Sequence, residues 1–212
     1  AGLEDWIRKL QLAHAIALQF NVETCRAKKY ATSGVLPWQW NEPWPGICWS
    51  LVDWYGGPKP AAYYCQRAFA PVRITADFEK YKWSAGETWA ADVIVVNDRA
   101  EALERLKASA ELVDRAGRVL ASRTFLCGAG ADSLVDAGRL VWNLPATPDG
   151  VPGRFFFLRL RLWDANAAEL SSNVYWHGIE LPKPVGWLQQ DIIFGWKIRI
   201  DPKKAGLKEG WF

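Results

Sequence analysis

The first thirty residues carry apolar side chains at three- or four-residue steps. Neither Pro nor Gly occurs between Leu3 and about Lys29. This spacing puts the apolar residues on one side of an α-helix. The sequence therefore predicts an amphipathic helix that ends before Thr32-Ser33-Gly34. The apolar positions are Trp6, Ile7, Leu10, Ala13, Ala17, Phe20 and Cys25.

A short strand, an aromatic loop and a second helix are predicted before Pro71. The segment GVLPWQW, residues 34–40, favours a short strand, and a loop rich in Pro and Trp follows it. The mostly apolar run ICWSLVDWYG ends at Gly56-Gly57. The segment KPAAYYCQRAFAPV predicts a short helix with Pro60 in its first turn and Pro71 at its end.

Beyond Pro71 the pattern changes to strict alternation of apolar and polar positions. In FFFLRLRLWD the apolar residues from Phe156 to Leu162 alternate with Arg159 and Arg161, which predicts a strand with one buried face and one wet face. Turn segments such as Asp-Arg-Ala-Gly and Pro-Asp-Gly separate the strand-like runs. Six or seven such runs predict an antiparallel sandwich of immunoglobulin type.

The N-terminal region contains five tryptophans that need burial. One strand between helices cannot form a sheet, so these side chains must pack on the sandwich or on structure that this chain lacks. Methionine is absent from the whole chain, which fits a piece of a longer polypeptide. We therefore expect an incomplete first region. The five are Trp38, Trp40, Trp44, Trp49 and Trp54.

Charge and composition narrow the possible partners. The 26 basic and 23 acidic residues give a net charge of +3 without a long run of one sign, so we expect no nucleic-acid partner. No apolar segment approaches the ~20 residues that span a bilayer, and no targeting leader is recognisable at the N-terminus. We expect a soluble chain with no membrane partner, and the compartment stays open.

A metal site or other cofactor is not expected. Cys25, Cys48, Cys65 and Cys127 are widely spaced, without a Cys-x-x-Cys pair. Only two histidines, His14 and His177, could assist them, and we expect both to be structural. The four cysteines are expected to be buried free thiols.

The aromatic segment carries a specific family resemblance. Residues 34–72, GVLPWQWNEPWPGICWSLVDWYGGPKPAAYYCQRAFAPV, closely resemble the last strand, loop and helix of the catalytic barrel in glycoside hydrolase family 2, especially its β-mannosidase and exo-β-glucosaminidase branches. Cys48 departs from the pattern, because Ser is usual there. The matching positions are Trp38, Gln39, Asn41, Glu42, Trp44, Pro45, Trp49, Ser50, Asp53, Tyr55, Gly56, Lys59 and Pro60.

The resemblance continues to about Gly178 and implies the domain order. The segments VIVVND, FFFLRLRLWD and LSSNVYWHG are similar to the immunoglobulin-like domain that follows that barrel. The implied fold is mixed: the end of a (β/α)8 barrel over residues 1–71, an immunoglobulin-like antiparallel β-sandwich over 72–180, and a linker and the start of a further β-domain over 181–212. The last region is similar to the opening of a jelly-roll sugar-binding domain.

The resemblance also implies a function. The intact protein would be a retaining β-glycosidase of carbohydrate breakdown that uses two glutamates and no metal, with a β-linked sugar as substrate. In the family both glutamates lie upstream of the motif around Glu42, so this chain alone is expected to be inactive. Its other partner would be the remainder of the same enzyme. The alternative is a non-catalytic carbohydrate-binding or scaffolding module that uses the tryptophans from Trp38 to Trp49.

Five residues form the predicted substrate-binding site. Trp38 and Trp44 could stack on sugar rings, while Gln39 and Asn41 bind hydroxyl groups. Glu42 would lie at the mouth of the barrel and bind sugar or shape the pocket. A catalytic role for the Asn41-Glu42 pair stays open, although a retaining glycosidase needs a second carboxyl group about 5–5.5 Å away.

Other residues of the motif are expected to be structural. Trp49 and Trp54 are expected to pack inside. Asp53, at the start of a glycine turn, is expected to cap that turn.

Overall fold

The computed structural model describes residues 2–179, so the predicted region at 181–212 lies outside the described residues. Two helices precede eight strands, and two short 3-10 turns, Pro148–Gly150 and Pro152–Arg154, lie before the seventh strand. The helices and strands are α1 (Leu3–Ala27), α2 (Pro60–Ala68), β1 (Val72–Asp77), β2 (Lys82–Trp83), β3 (Thr88–Asn97), β4 (Leu103–Asp114), β5 (Val119–Ala129), β6 (Ser133–Asn143), β7 (Phe155–Trp163) and β8 (Glu169–Ile179).

The long first helix is confirmed and ends at Ala27. Acidic residues in its first turn suit the positive end of the helix dipole, and Glu4 also binds Arg8 one turn later, with 2.6 Å between Oε1 and Nη2. Within residues 2–179, no helix combines the length and apolar character needed to cross a bilayer.

The predicted strand at residues 34–40 is wrong. This segment is extended but makes only isolated bridges: Asn41 pairs with Val52 in parallel, and the amide of Leu51 donates to the carbonyl of Gln39 at 3.0 Å. Among residues 2–179, its bridging neighbour is the segment around Val52. The prediction failed because two short segments without further neighbours cannot build a regular ladder.

The second helix is confirmed, with Pro60 at its N-terminus. A proline fits there because the first amide of a helix has no partner within the helix. Helix α2 packs against α1 around a small core. That core consists of Ala15, Leu51, Ala61 and Cys65.

Strands β1 to β8 form two packed sheets. One sheet has the order β1-β3-β6 and the other β2-β8-β7-β4-β5. The described neighbours pair antiparallel except β2 and β8, which run parallel. The predicted β-sandwich is confirmed, with eight strands rather than six or seven. In the five-stranded sheet, β7 pairs with β8 on one side and with β4 on the other.

The alternation predicted for β7 is confirmed. Phe156, Leu158, Leu160 and Leu162 are fully buried between the sheets, whereas Arg161 is exposed on the outer face. On that outer face Arg159 instead pairs with Glu111 of β4 at 2.6 Å. The large core includes Trp89 of β3, which is also fully buried.

A buried polar cluster joins α1 to the sandwich. The carboxylate of Glu23 accepts hydrogen bonds from Arg73 Nη2 at 2.7 Å, from Asn173 Nδ2 at 2.9 Å and from the Tyr175 hydroxyl at 2.6 Å. Gln19, one turn earlier on α1, donates to Asn173 Oδ1 at 2.8 Å. All five side chains are buried, so the helix is joined to β1 and β8 by a desolvated network. We call Gln19, Glu23, Arg73, Asn173 and Tyr175 the junction cluster.

A second contact fixes the end of the helix. Arg26 Nη2 and Lys29 Nζ bind the two carboxylate oxygens of Asp98 at 2.7 and 2.6 Å. Lys29 also binds Asp132 at 2.6 Å. Because Asp98 follows β3 and Asp132 precedes β6, the C-terminal end of α1 is held against the end of the three-stranded sheet at which β3 finishes and β6 begins.

Candidate functional site

The predicted sugar-binding residues lie in an exposed aromatic segment. We call residues 36–54 the tryptophan loop. Trp38 and Trp44 are 75% and 69% exposed, and Trp40 is also exposed. Trp49 and Trp54 were expected to pack inside, but they are 60% and 49% exposed. That expectation is wrong for this chain because the small core beneath the loop buries only Leu51 from it.

A buried ion pair lies beneath the loop. Lys59 directly precedes α2, and its ammonium group donates to Glu42 Oε1, to the Ser50 hydroxyl at 3.0 Å and to the Cys48 carbonyl at 3.0 Å. Ser50 also donates to Glu42 Oε1 at 2.9 Å. We call Lys59, Glu42 and Ser50 the lysine cluster.

Glu42, expected to bind sugar or to shape the pocket, is buried beneath the loop. Its side chain is 4% exposed, and the carboxylate faces protein donors rather than solvent. The hydrogen bond from Lys59 is the main cause that lowers the pKa of Glu42, and the bond from Ser50 acts in the same direction. A carboxyl group with a lowered pKa stays ionised at neutral pH, so Glu42 is poorly suited to act as a general acid.

The positive charge of Lys59 also acts on helix α1. Burial lowers the pKa of His14, and the nearby charge of Lys59 lowers it further. His14 is therefore neutral at pH 7, which agrees with the structural role expected for it.

The two predicted amide residues have different environments. Gln39 is half-buried, and its Nε2 lies 3.5 Å from Cys48 Sγ, so part of its hydrogen-bonding capacity is used within the loop. Asn41 is exposed and pairs with Val52 through its backbone. Trp38, Asn41 and Trp44 are thus the predicted site residues whose side chains are accessible from solvent.

Asp53 has the capping role that the sequence predicts. Its Oδ1 accepts the amide of Gly57 at 2.8 Å. Gly56 has a positive φ of 82°, the left-handed conformation that glycine adopts without strain. A Cβ atom at Gly57 would lie 3.0 Å from Asp53 Oδ2, so a side chain there would require the Asp53 carboxylate to shift by a few tenths of an ångström.

An open apolar groove lies beside the loop. Its volume is about 440 Å³, and Trp40 is the loop tryptophan that lines it. None of the five predicted substrate-binding residues contributes to it. The lining residues are Pro37, Trp40, Leu51, Pro58, Ala62, Tyr63, Cys65, Gln66 and Phe69.

The remaining candidate ligands do not form a cluster. In the part of the chain that the structure describes, no three His, Cys, Asp or Glu side chains lie close enough to hold a metal ion. The four cysteines are free thiols, but only Cys65 is buried and the others are half-buried. His177 is buried in the sandwich core.

Sequence reasoning missed the role of Lys59. It lies in the matched motif, and the pattern of a lysine before a proline at a helix start was visible. The sequence could not show that its side chain turns back under the loop, because the partners Glu42 and Ser50 are 17 and 9 residues away.

Comparisons with known proteins find similarity to parts of larger glycosidases. It is 28% identical to an exo-β-D-glucosaminidase of Streptomyces avermitilis over 199 residues, which is 90% of this chain and 20% of that protein. It is 34% identical to β-mannosidase B of Aspergillus niger over 85 residues, covering 39% of this chain and 10% of that enzyme. No family model matches the chain.

A solved structure supports the same relationship. The β-D-mannosidase of Dictyoglomus thermophilum superimposes with a TM-score of 0.67 and 27% identity, covering 86% of this chain and 21% of that one. The predicted resemblance to the exo-β-glucosaminidase and β-mannosidase branches of glycoside hydrolase family 2 is confirmed, and the matches agree with a C-terminal part of such enzymes. The chain spans about a fifth or less of the length of these relatives.

Proposed function

We propose that the chain is the C-terminal portion of a retaining β-glycosidase. Residues 1–71 would complete a catalytic (β/α)8 barrel, residues 72–180 would brace that barrel, and residues 181–212 would begin a further β-domain. The relatives are named as enzymes that act on β-linked glucosamine or mannose. The exposure of the tryptophan loop is the observation that carries the proposal, because five exposed tryptophans in one segment form an interaction surface.

The loop and the groove would have different neighbours in the intact enzyme. The groove beside Trp40 is apolar, so it would receive side chains from the remainder of the barrel. Trp38 and Trp44 would face the substrate and stack on sugar rings, whose C–H faces suit an aromatic plane. Asn41 and Gln39 would bind hydroxyl groups. Glu42 would support this surface from below, since its carboxylate is engaged by Lys59.

This chain would be inactive by itself. In the described part of the chain Glu42 is the only carboxylate of the lysine cluster, and it stays paired with a cation. Both catalytic glutamates would come from the preceding part of the barrel. No cofactor or metal is required in the proposed mechanism.

The test is activity of the chain together with the barrel portion expected upstream. Hydrolysis of nitrophenyl β-mannoside or β-glucosaminide should appear only when both portions are present. Replacing Trp38 and Trp44 by alanine should raise KM, whereas replacing the exposed Trp6 on α1 should not. Activity of this chain alone would contradict the proposal.

A second candidate is a non-catalytic carbohydrate-binding or scaffolding module. The observation that favours it is that the tryptophan loop is already accessible in this chain without any partner. Under this alternative, the 212-residue chain should migrate more slowly in a native gel that contains soluble mannan or chitosan. Loss of that binding in the Trp38→Ala, Trp44→Ala variant would favour the module over the barrel fragment.

A further inference from the structure

Lys59 lies at the start of α2, and its side chain contacts the tryptophan loop on both sides of the exposed stretch. Residues 43–49 are exposed apart from the half-buried Cys48, and this stretch lies between the buried residues Glu42 and Ser50. The Lys59 ammonium contacts the carboxylate of Glu42 on one side and the Ser50 hydroxyl and Cys48 carbonyl on the other. One cation thus links both sides of the loop base, in addition to the backbone bonds that Leu51 and Val52 donate to Gln39 and Trp40.

The backbone of Lys59 is held in place by a hydrogen bond and by the start of α2. Its amide donates to the Leu51 carbonyl at 2.9 Å, and the next residue, Pro60, begins α2. Helix α2 packs on α1 through the small core around Ala15 and Ala61. The ammonium group is therefore held relative to the body of the protein, and the side chain is only 13% exposed.

The loop has few other restraints near its tip. The ring of Trp44 lies over Gly46 of the same stretch. A Cβ atom added to Gly46 would lie 3.7 Å from that ring. Ile47 is fully exposed. The positions of Trp44 and Trp49 therefore depend on how the base of the loop is closed.

We propose that Lys59 is a positioning residue for the tryptophans of the stretch 43–49, of which Trp44 would stack on sugar, and acts through Glu42, Ser50 and the Cys48 carbonyl. The ligand class is a β-linked glycoside, and this part rests on the proposed function. Lys59 does not touch the sugar. Its charge holds the buried carboxylate and carbonyl together, which a neutral side chain of the same length cannot do.

The test compares Lys59→Met with Lys59→Arg in the complete enzyme. Methionine should displace the loop and raise KM for the nitrophenyl glycoside about ten- to hundredfold, with kcat changed less than about twofold, because the tryptophans bind ground state and transition state alike. Arginine should restore KM to within about threefold, since it keeps the charge. The exposed Lys9→Met serves as the control and should have no effect.

A readout on this chain separates the role of Lys59 from the proposed function. The indole N–H signals of the loop tryptophans in a ¹H–¹⁵N spectrum should shift in Lys59→Met and return in Lys59→Arg. Unchanged signals, or a lower kcat at unchanged KM, would overturn the positioning role. If the unaltered complete protein cleaves no β-glycoside, the proposed function fails, and with it the ligand assigned here; the indole shifts then still decide whether Lys59 positions the loop.

Discussion

At the scale of single residues, the junction cluster contains an ion pair in which both charges are buried. Arg73 and Glu23 have side chains that are each 4% exposed, so both charges have lost nearly all their water. Such a pair is tolerated only when the remaining polar atoms are satisfied. Here Asn173 and Tyr175 supply the further donors to Glu23, and the Ser172 carbonyl accepts from Arg73 at 2.7 Å.

Removing one charge from this cluster should strongly destabilise the fold. We expect Glu23→Gln to lower the free energy of unfolding by about 3–5 kcal/mol, because Arg73 is left as a buried and unneutralised cation. Urea unfolding followed by circular dichroism measures the effect. The matched control is Glu4→Gln on the same helix, whose exposed pair with Arg8 should contribute less than about 0.5 kcal/mol. Equal effects of both substitutions would contradict this account.

His177 should make the stability of the sandwich dependent on pH. Burial lowers its pKa to about 3, and its ring stacks on Phe156 with centroids 5.1 Å apart. The unfolded chain takes up the proton near pH 6.5, whereas the folded chain does not until about pH 3. The stabilisation is therefore complete above pH 6.5 and declines as the pH falls through this window, by up to ~1.4 kcal/mol per pH unit.

A variant without the imidazole measures this contribution. In His177→Phe, the free energy of unfolding should fall less steeply between pH 6 and 4.5 than in the original chain. The carboxyl groups contribute equally to both proteins, so the difference between the two slopes isolates the histidine. Two parallel pH profiles would show that His177 is not kept neutral by folding.

At the scale of secondary-structure elements, β6 contains an irregularity that its neighbours require. Its register with β3 shifts between Val93 and Ile94, which leaves Ala137 as an extra residue on β6. The next residue, Gly138, has a φ of 136° and lies against the ring of Phe125 from the opposite sheet. This β-bulge lets β6 follow the curvature of the sandwich.

Adding a single methyl group at the bulge should test this geometry. In Gly138→Ala a Cβ atom would lie 2.6 Å from Phe125 Cε1 on a backbone that alanine rarely adopts. We expect a loss of about 1–3 kcal/mol in thermal or urea unfolding. Gly178→Ala in β8 is the control, because a Cβ there meets open space, and it should change stability by less than about 0.5 kcal/mol.

The elements differ in how well the sequence predicts them. Helix α1, helix α2 and strand β7 follow from periodicity, because each satisfies its own backbone or repeats one buried face. The segment at 34–40 has a strand-like pattern but forms no regular ladder, since a strand also needs neighbouring strands that the sequence does not reveal. The junction cluster was also unpredictable: Glu23 and Asn173 are 150 residues apart and look like ordinary surface residues in the sequence.

The sequence predicted which residues make up the candidate site but not how far each side chain is buried. The motif identified Trp38, Asn41 and Trp44, and these are exposed. It gave no means of separating them from Glu42, which lies beneath them. The burial of Glu42 depends on where the Lys59 side chain lies, and only the folded structure shows that position.

At the scale of the whole molecule, exposed and buried aromatic residues are unequally distributed. The sandwich buries Trp83 and Trp89 almost completely, whereas the N-terminal region exposes all five loop tryptophans. A contiguous exposed apolar surface of this kind favours association with another surface. Within residues 2–179, the sandwich is thus well packed, whereas the tryptophan loop exposes apolar surface that favours association.

Reducing that surface should change association without changing stability. We expect Trp38→Ser, Trp44→Ser to keep the free energy of unfolding within about 1 kcal/mol, because neither ring is buried. Self-association at high concentration, measured by sedimentation velocity, should decrease. Trp89→Ser is the contrasting control and should cost about 3–5 kcal/mol, since its ring is fully buried. A monomeric original chain, or unfolding of the double variant, would contradict the expectation.

Strand β8 constrains how this sequence can change in length. Asn173, Tyr175 and His177 alternate along its inner face, whereas Val174 and Trp176 point outward. Insertion or deletion of one residue within β8 before Asn173 would exchange these two sets. Val174 and Trp176 would then face the buried Arg73, and His177 would be exposed to solvent. We therefore expect a single-residue insertion or deletion there to prevent folding.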